Sequence, residues 1–172
     1  NVFCFRTMIV NYLNLISKKK SQITIFILLN ICGLIFFLLP HNIFWNMLDL
    51  RFSYTGEIVN QSFISIGEEG RQLYFFSALI IDTIYPLLYV SLFLGAYYKL
   101  FKVKTFLLIL PLSAGFFDIL ENIQVSLLIL NYPTLSSQNI FYSSTSTSIK
   151  WIMIGLSISI LIYGIIKKQR QI

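Results

Sequence analysis

The sequence contains few of the side chains from which most catalytic and metal sites are built. It has one histidine, His41, and two cysteines, Cys4 and Cys32. With a single imidazole and no cysteine pair spaced for redox work, we exclude histidine-rich metal sites, zinc sites and Ser-His-Asp triads. The chain also has no glycine-rich phosphate-binding loop. We therefore expect neither a metal nor a cofactor.

Charged residues are also scarce. Only 12% of the 172 residues are Asp, Glu, Lys or Arg, and 56% are hydrophobic. Soluble domains carry about 25% charged and about 45–50% apolar residues. The composition therefore places the chain among integral membrane proteins.

Four apolar stretches are long enough to cross a bilayer as helices, which takes about 20 residues each. The first stops at Pro40 and the last ends at Lys167. The predicted fold class is all-α, a four-transmembrane-helix bundle in a single domain. The predicted spans are residues 22–39, 73–98, 105–130 and 149–166, with outer loops 40–72 and 131–148 and a cytoplasmic loop 99–104.

The basic residues predict the orientation, because cytoplasmic segments carry an excess of Lys and Arg. Of the 13 basic residues, most fall on the side of the predicted bundle that holds both termini. They are Arg6, Lys18, Lys19, Lys20, Lys99, Lys102, Lys104, Lys167, Lys168 and Arg170. We predict a multi-pass protein of the cell (plasma) membrane with both termini in the cytoplasm (N-in, C-in). These cations are expected to contact anionic headgroups of the lipid bilayer and not nucleic acid.

The first outer loop is rich in aromatic residues and predicts a short interfacial helix from Thr55 to Phe63. Arg71 stands one turn from Glu68 where the second helix is expected to begin. This pair is either a solvated helix start or a gate over the bundle. Lys150 is predicted at the same outer rim, where lysine can extend towards the headgroups.

The most informative feature is three acidic residues inside predicted spans: Asp82 in the second, and Asp118 and Glu121 in the third. An ionisable group at the centre of a span costs about 2.5–3.5 kcal/mol and usually faces the bundle interior. Counting about 1.5 Å per residue, all three acids lie at matching heights on antiparallel neighbours. We therefore predict that they meet inside the bundle.

Helical spacing adds polar neighbours to these acids. Asn122 stands four residues after Asp118 and shares its helix face. Tyr85 and Tyr89 follow Asp82 at helical spacing and share the face of that residue. The predicted ligand-binding residues are Asp82, Tyr85, Tyr89, Asp118, Glu121 and Asn122.

Pro86 adds a further polar group to the second span. Proline has no N–H, so the carbonyl of Asp82 loses its helical donor and a kink is expected there. The alternative is that the acids are structural and hydrogen-bond the second and third helices together. Interhelical hydrogen bonds in membranes average only about 0.6 kcal/mol, which does not offset the insertion cost of three acids. A functional pocket is therefore favoured.

Several short motifs occur together between about residues 45 and 165. They are LDLRFSY at 48–54, GEEGRQLY at 67–74, DTIYPLLY at 82–89, FDILEN at 117–122 and KW at 150–151. As a set they resemble a group of small, uncharacterised four-span bacterial membrane proteins. The resemblance implies a four-span architecture and no particular activity.

Three functions fit the predicted pocket. The leading hypothesis is that the protein binds or transports a small cationic or lipid-like ligand, such as a cation, a proton or an amine-bearing lipid. The second is an intramembrane lipid-modifying enzyme that uses the carboxyl groups as acid and base. The third is a structural subunit whose acids pair with basic residues of a membrane-protein partner; a homo-oligomer is a further alternative.

Overall fold

The computed structural model describes residues 2–101 and 105–170, and all regular elements in this part of the chain are helical. The elements are α1 (Val2–Ile16), α2 (Lys19–Phe37), α3 (Ile43–Asn46), α4 (Gly56–Phe101), a 3₁₀ turn (Thr105–Leu108), α5 (Ile109–Leu130) and α6 (Ser137–Gln169). The predicted all-α class is confirmed. Lys102 and Lys104 of the predicted cytoplasmic loop lie outside the described residues.

Four of the helices are long and apolar enough to cross a membrane, which confirms the predicted number of candidate spans. Many of their outward positions carry large apolar side chains that are exposed, as expected of helices whose outer faces contact lipid. The structure is therefore compatible with a multi-pass membrane protein. The candidate spans are Lys19–Phe37, Gly56–Phe101, Phe106–Leu130 and Ser137–Gln169.

Helix α4 consists of two segments separated by Gly67. This glycine has a φ of 68° and a ψ of −174°, a conformation that strains any residue with a Cβ. Residues 56–66 form the short helix predicted to start after Thr55, whose carbonyl accepts a hydrogen bond from the N–H of Val59. Residues 68–101 form the longer part of the second candidate span. The glycine thus changes the direction of the chain before it enters the bundle.

Helix α6 begins at Ser137, whereas the sequence predicts a loop over residues 131–148. This segment is uncharged and rich in Ser and Thr, a composition typical of loops. Ser143 and Thr147 are nevertheless fully buried, and both contact the hydroxyl group of Tyr54. Tertiary packing therefore overrides a weak local preference.

Helix α1 precedes the first candidate span and is not part of the predicted bundle. It packs along the second half of α4, where the hydroxyl groups of Tyr12 and Ser91 are 2.7 Å apart. A Cβ atom at Gly95 would collide with the backbone of Ile16. The absence of a side chain at Gly95 therefore allows the close approach of the two helices.

Helices α4, α5 and α6 form the centre of the bundle, and each contacts the other two. Helix α2 is peripheral and contacts α1, α3 and α4. In the part of the chain that the structure describes, no Cα atom of α2 lies within 8 Å of a Cα atom of α5 or α6. The backbones of α2 and α6 are therefore not packed against each other, and the space between these two helices is called the gap below.

Candidate functional site

Lys150 lies at the centre of a buried charge cluster. The residue is only 4% exposed, and its ammonium group is 2.6 Å from Glu121 Oε2 and 3.6 Å from Asp118 Oδ1. It also donates a hydrogen bond of 3.2 Å to the backbone carbonyl of Asp49. Proteins tolerate buried ions when they are paired and hydrogen-bonded in this way. The ammonium group thus connects α6 with α5 and with the segment that follows α3.

This position differs from the outer rim, where the sequence predicts Lys150. Because α6 begins at Ser137, Lys150 falls near the middle of the helix and not at its start. It contacts Asp118, which is the central residue of the candidate span Phe106–Leu130. Buried positions along α6 recur at the seven-residue spacing of packed helices. They are Ser143, Lys150, Ser157 and Gly164.

Glu121 extends the cluster towards the segment that precedes α4. Its carboxylate is fully buried and accepts a hydrogen bond of 2.5 Å from Thr147 Oγ1. The same hydroxyl group lies 3.4 Å from the Tyr54 hydroxyl, which is 2.5 Å from Ser143 Oγ. A continuous chain of polar contacts thus runs from Lys150 to Tyr54. Burial raises the pKa of the Tyr54 hydroxyl above its usual value.

Asp49 attaches residues 47–55 to the bundle. Its carboxylate accepts a hydrogen bond of 3.1 Å from the Tyr74 hydroxyl on α4. Its backbone carbonyl accepts hydrogen bonds from Lys150 Nζ and, at 3.0 Å, from Trp151 Nε1. This segment is therefore held from two helices at once, by side-chain donors that are themselves buried or half-buried.

A cavity of about 240 Å³ lies beside the charge cluster and is lined by α2, α4, α5, α6 and the segment after α2. Its polar wall is formed by Asp49, Asp82, Asp118 and Lys150. Its other walls are apolar or aromatic. They include Gly33, Phe36, Tyr85, Tyr89, Phe93, Trp151 and Ile154. Charged groups and hydrocarbon thus meet in one space, which suits a ligand with one polar end.

Asp82 and Asp118, from neighbouring helices, reach this same cavity. Asp82 is 5% exposed, and no described residue gives its carboxyl group a hydrogen bond or an ion pair. Its backbone carbonyl, which loses its helical donor to Pro86, accepts a hydrogen bond of 2.7 Å from Asn122 Nδ2. The carboxyl group thus keeps its hydrogen-bonding capacity for an occupant of the cavity.

Tyr85 and Tyr89 form an aromatic wall of the cavity together with Phe93. Successive rings on this face of α4 meet edge to face, with centroids 6.1 and 6.3 Å apart. The Tyr89 hydroxyl is buried beside Asp118, which is its polar neighbour. The wall therefore offers both apolar area and a hydroxyl group next to the Asp118 carboxyl group.

Four of the six predicted ligand-binding residues line the cavity: Asp82, Tyr85, Tyr89 and Asp118. The other two, Glu121 and Asn122, are buried behind it. Glu121 is engaged by Lys150 and Thr147, and Asn122 is engaged by the carbonyl of Asp82. These two residues hold the lining residues in place and do not face the cavity.

Arg71 and Glu68 lie apart from the cavity. Arg71 donates a hydrogen bond of 2.9 Å to the carbonyl of Phe63, and its guanidinium group lies 4.5 Å from the ring centre of Tyr132. Glu68 is exposed, and among the described residues it forms no ion pair with Arg71. Arg71 instead attaches residues 56–66 to the turn that follows α5, so the predicted pair does not cover the bundle.

Asp49, Phe93 and Thr147 are among the residues of the site that are absent from the sequence prediction. The sequence does contain a signal for Asp49, which stands between two leucines. A buried acid in such an apolar setting is costly without a partner, so its position predicts a polar contact. Thr147 stands three residues before Lys150 and therefore shares its helix face. Phe93 continues the four-residue spacing of Tyr85 and Tyr89.

The cluster contains more acid than base. Four carboxyl groups, those of Asp49, Asp82, Asp118 and Glu121, lie around one ammonium group, that of Lys150. Like charges at close quarters in a low dielectric cannot all stay ionised. The site is therefore stable only when some of these carboxyl groups are neutral or when a further cation joins them.

Comparisons of the chain with protein-family models, with curated proteins and with solved structures find no match. The resemblance to small four-span bacterial membrane proteins stays a prediction. The class of protein is therefore defined by the fold and the site alone. This is a helical protein with four candidate membrane spans, a buried cluster of acids around one lysine, and an aromatic cavity beside it.

Proposed function

We propose that the protein is a multi-pass protein of the cell membrane that binds a small amphiphilic cation, a protonated amine, in the cavity between its helices. One observation carries this proposal: the Asp82 carboxyl group is buried, faces the cavity and has no partner among the described residues. A bound ammonium group would provide both the missing hydrogen bond and the missing positive charge.

Four spans return the chain to the side on which it started, so both termini lie on the same side. The positive-inside rule places that side in the cytoplasm, because the basic residues cluster there. Residues 56–66 then lie at the outer surface, as an interfacial helix attached to the bundle through Arg71 and Tyr132. The cavity then lies near the middle of the bundle, with residues 47–50 on its side nearer that surface.

The charges of the site favour a cation over an anion. The Lys150 ammonium group is already engaged by Glu121, Asp118 and the carbonyl of Asp49. An anionic headgroup would therefore meet the free carboxyl group of Asp82 without a free cation to balance it. No group of three or more His, Cys, Asp or Glu side chains in the described chain is arranged to hold a metal ion, which favours an organic cation.

The aromatic wall fits the same ligand. An ammonium group over a Tyr or Trp ring gains about 0.5–2 kcal/mol, most where water is excluded. Tyr85, Tyr89 and Trp151 all line the cavity beside the two aspartates. The methylene groups next to the ammonium group would pack against Phe93 and Ile154. The cavity therefore recognises charge at one end of the ligand and hydrocarbon at the other.

Tryptophan fluorescence gives a direct test. Trp45 and Trp151 are the two tryptophans of the chain, and Trp45 is 70% exposed. In a Trp45→Phe background the only tryptophan emission comes from Trp151 in the cavity. We expect 12-bromododecylamine to quench this emission saturably in detergent micelles. The uncharged 12-bromododecanol and the anionic 12-bromododecanoate should quench only through partitioning into the micelle.

Two variants distinguish the site from nonspecific partitioning. Asp82→Asn removes the charge at nearly constant volume and should weaken amine binding by about tenfold or more, because a charge-assisted hydrogen bond contributes about 1.5–3 kcal/mol. Glu57→Gln makes the same change on an exposed residue and should leave binding unchanged. Equal quenching by the amine and the alcohol, or an unaltered affinity in Asp82→Asn, would contradict the proposal.

A second function, intramembrane acid–base catalysis on a lipid, has one observation in its favour. Asp118 is paired with Lys150, whereas Asp82 has no partner. Two carboxyl groups in different electrostatic settings are the arrangement that separates an acid from a base. Mass spectrometry of lipids from cells that express the wild type or Asp82→Asn decides this point. Identical lipid profiles would leave binding as the function.

A further inference from the structure

We infer that the ligand is a single-chain amphiphile that reaches the cavity from the bilayer through the gap between α2 and α6, and that its hydrocarbon chain stays in this gap when it is bound. This inference rests on the proposed function for the charged end of the ligand. It adds the route of entry and the class of the apolar end.

The gap is defined by two helices that line the same cavity although their backbones stay apart. Gly33 and Phe36 of α2 line one side of the cavity, and Trp151 and Ile154 of α6 line another. Nevertheless, no Cα atoms of these two helices approach within 8 Å in the described chain. The boundary between them is therefore formed by side chains alone, and Gly33 contributes none.

Two other directions are occupied by packed structure. Helices α4, α5 and α6 each contact the other two, so their backbones leave no comparable opening between them. At the end where α2 finishes, residues 47–50 lie across the cavity and are held by the contacts of Asp49 with Tyr74, Lys150 and Trp151. A ligand from solvent would have to break these contacts, whereas a ligand from the bilayer would only have to pass between side chains.

The size of the cavity points to the same conclusion. Its volume of about 240 Å³ falls below the roughly 300–1,000 Å³ of sites that enclose a drug-sized molecule. It can hold an ammonium group with a short stretch of chain, and it cannot enclose a long chain or a two-chain lipid. The rest of a long chain must then lie outside the cavity, and the gap between α2 and α6 is the apolar continuation available to it.

Gly33 offers a way to fill the gap without disturbing the packing. A Cβ atom at Gly33 would meet nothing within 4 Å, so Gly33→Leu has open space for its side chain. Gly155 on α6 is likewise open, is exposed and does not line the cavity. Gly155→Leu is therefore the matched control, since it adds the same side chain to a membrane-facing helix.

The experiment measures quenching of Trp151 in the Trp45→Phe background by a long amine, 12-bromododecylamine, and a short one, 2-bromoallylamine, whose vinylic bromine is not displaced by its own amine. We expect Gly33→Leu to weaken binding of the long amine by at least tenfold and to change binding of the short amine by less than threefold. Gly33→Ala should have a smaller effect on the long amine, because it fills less of the gap. Gly155→Leu should change neither affinity.

The outcomes separate this inference from the proposed function. If Gly33→Leu binds the long amine as tightly as the wild type does, the chain does not occupy the gap and the inference is wrong while the proposed function stands. An equal loss for both amines also overturns it, since the cavity itself would then be blocked. If the wild type binds neither amine, the proposed function fails and the inference fails with it.

Discussion

Single residues decide whether this bundle can hold charge in its interior. Lys150 is the residue on which the others depend, because two carboxylates and a backbone carbonyl converge on its ammonium group. Removing one member of a buried pair is far more costly than replacing the whole pair with apolar groups, since it leaves an uncompensated charge. The stability of the site therefore depends on the balance of its charges more than on any single contact.

Lys150→Met should lower the free energy of unfolding by about 3–5 kcal/mol, because Asp118 and Glu121 lose their counter-charge. Titration of the protein in mixed micelles with sodium dodecyl sulfate measures this change. Lys167→Met removes the same charge from an exposed position of α6 and should have little effect. Adding Glu121→Gln to Lys150→Met should restore part of the loss. Equal stability of the two single lysine variants would rule out the buried charge balance.

Tyr54 gives a prediction about alkaline pH. Burial raises the pKa of its hydroxyl in the folded protein. In the unfolded chain the hydroxyl has the usual tyrosine pKa of about 10. Above that pH the unfolded chain releases a proton that the folded protein keeps, so the folded state loses stability as pH rises. Tyr54→Phe should therefore make the free energy of unfolding less dependent on pH between about 9.5 and 11.

The control for this pH dependence is Tyr142→Phe, which removes the hydroxyl of an exposed tyrosine on the same helix that Tyr54 contacts. It should leave the slope of stability against pH as it is in the wild type. A slope that is the same in the wild type and in Tyr54→Phe would mean that the Tyr54 hydroxyl is hydrated in the folded protein, and the chain of contacts to Glu121 would then be incorrect.

At the scale of helices, α4 and α5 are joined by a contact that replaces a missing backbone hydrogen bond. Pro86 removes the N–H that would serve the carbonyl of Asp82, and Asn122 supplies a donor from the neighbouring helix. The missing N–H of Pro86 and the interhelical contact are therefore two parts of one feature. Its consequence is that the Asp82 side chain is held at the cavity by a residue outside its own helix.

A double-mutant cycle tests this exchange of donors. Asn122→Ala should cost about 1 kcal/mol in the wild-type background, in the range of interhelical hydrogen bonds measured in membranes, plus the loss of packing. In a Pro86→Ala background the helical N–H returns, so the hydrogen-bond part of that cost should disappear. The free energy of unfolding measures both steps. An unchanged cost of Asn122→Ala in the Pro86→Ala background would show that the asparagine does not serve this carbonyl.

At the scale of the whole molecule, composition and periodicity predict the architecture because each candidate span is a local property of the sequence. The same local reasoning brings Asp82 and Asp118 together, since heights on two antiparallel helices follow from residue counts. It misplaces Lys150, because the start of α6 depends on contacts of Ser143 and Thr147 with Tyr54, about ninety residues away. The position of Asp49 in the site and the gap beside α2 also result from contacts between distant segments, so local patterns do not predict them.

The placement of an accessible, unpaired carboxyl group inside the bundle can be tested most directly by chemical labelling. A hydrophobic carbodiimide dissolves in the micelle or bilayer and adds to protonated carboxyl groups that it can reach, and peptide mass spectrometry identifies the modified residue. We predict that Asp82 is labelled first, that Glu121 is spared because it is engaged and does not line the cavity, and that N,N-dimethyldodecylamine, a protonated amine that forms no stable amide, protects Asp82. Labelling of Glu121 ahead of Asp82, or labelling of Asp82 that N,N-dimethyldodecylamine does not reduce, would contradict the account.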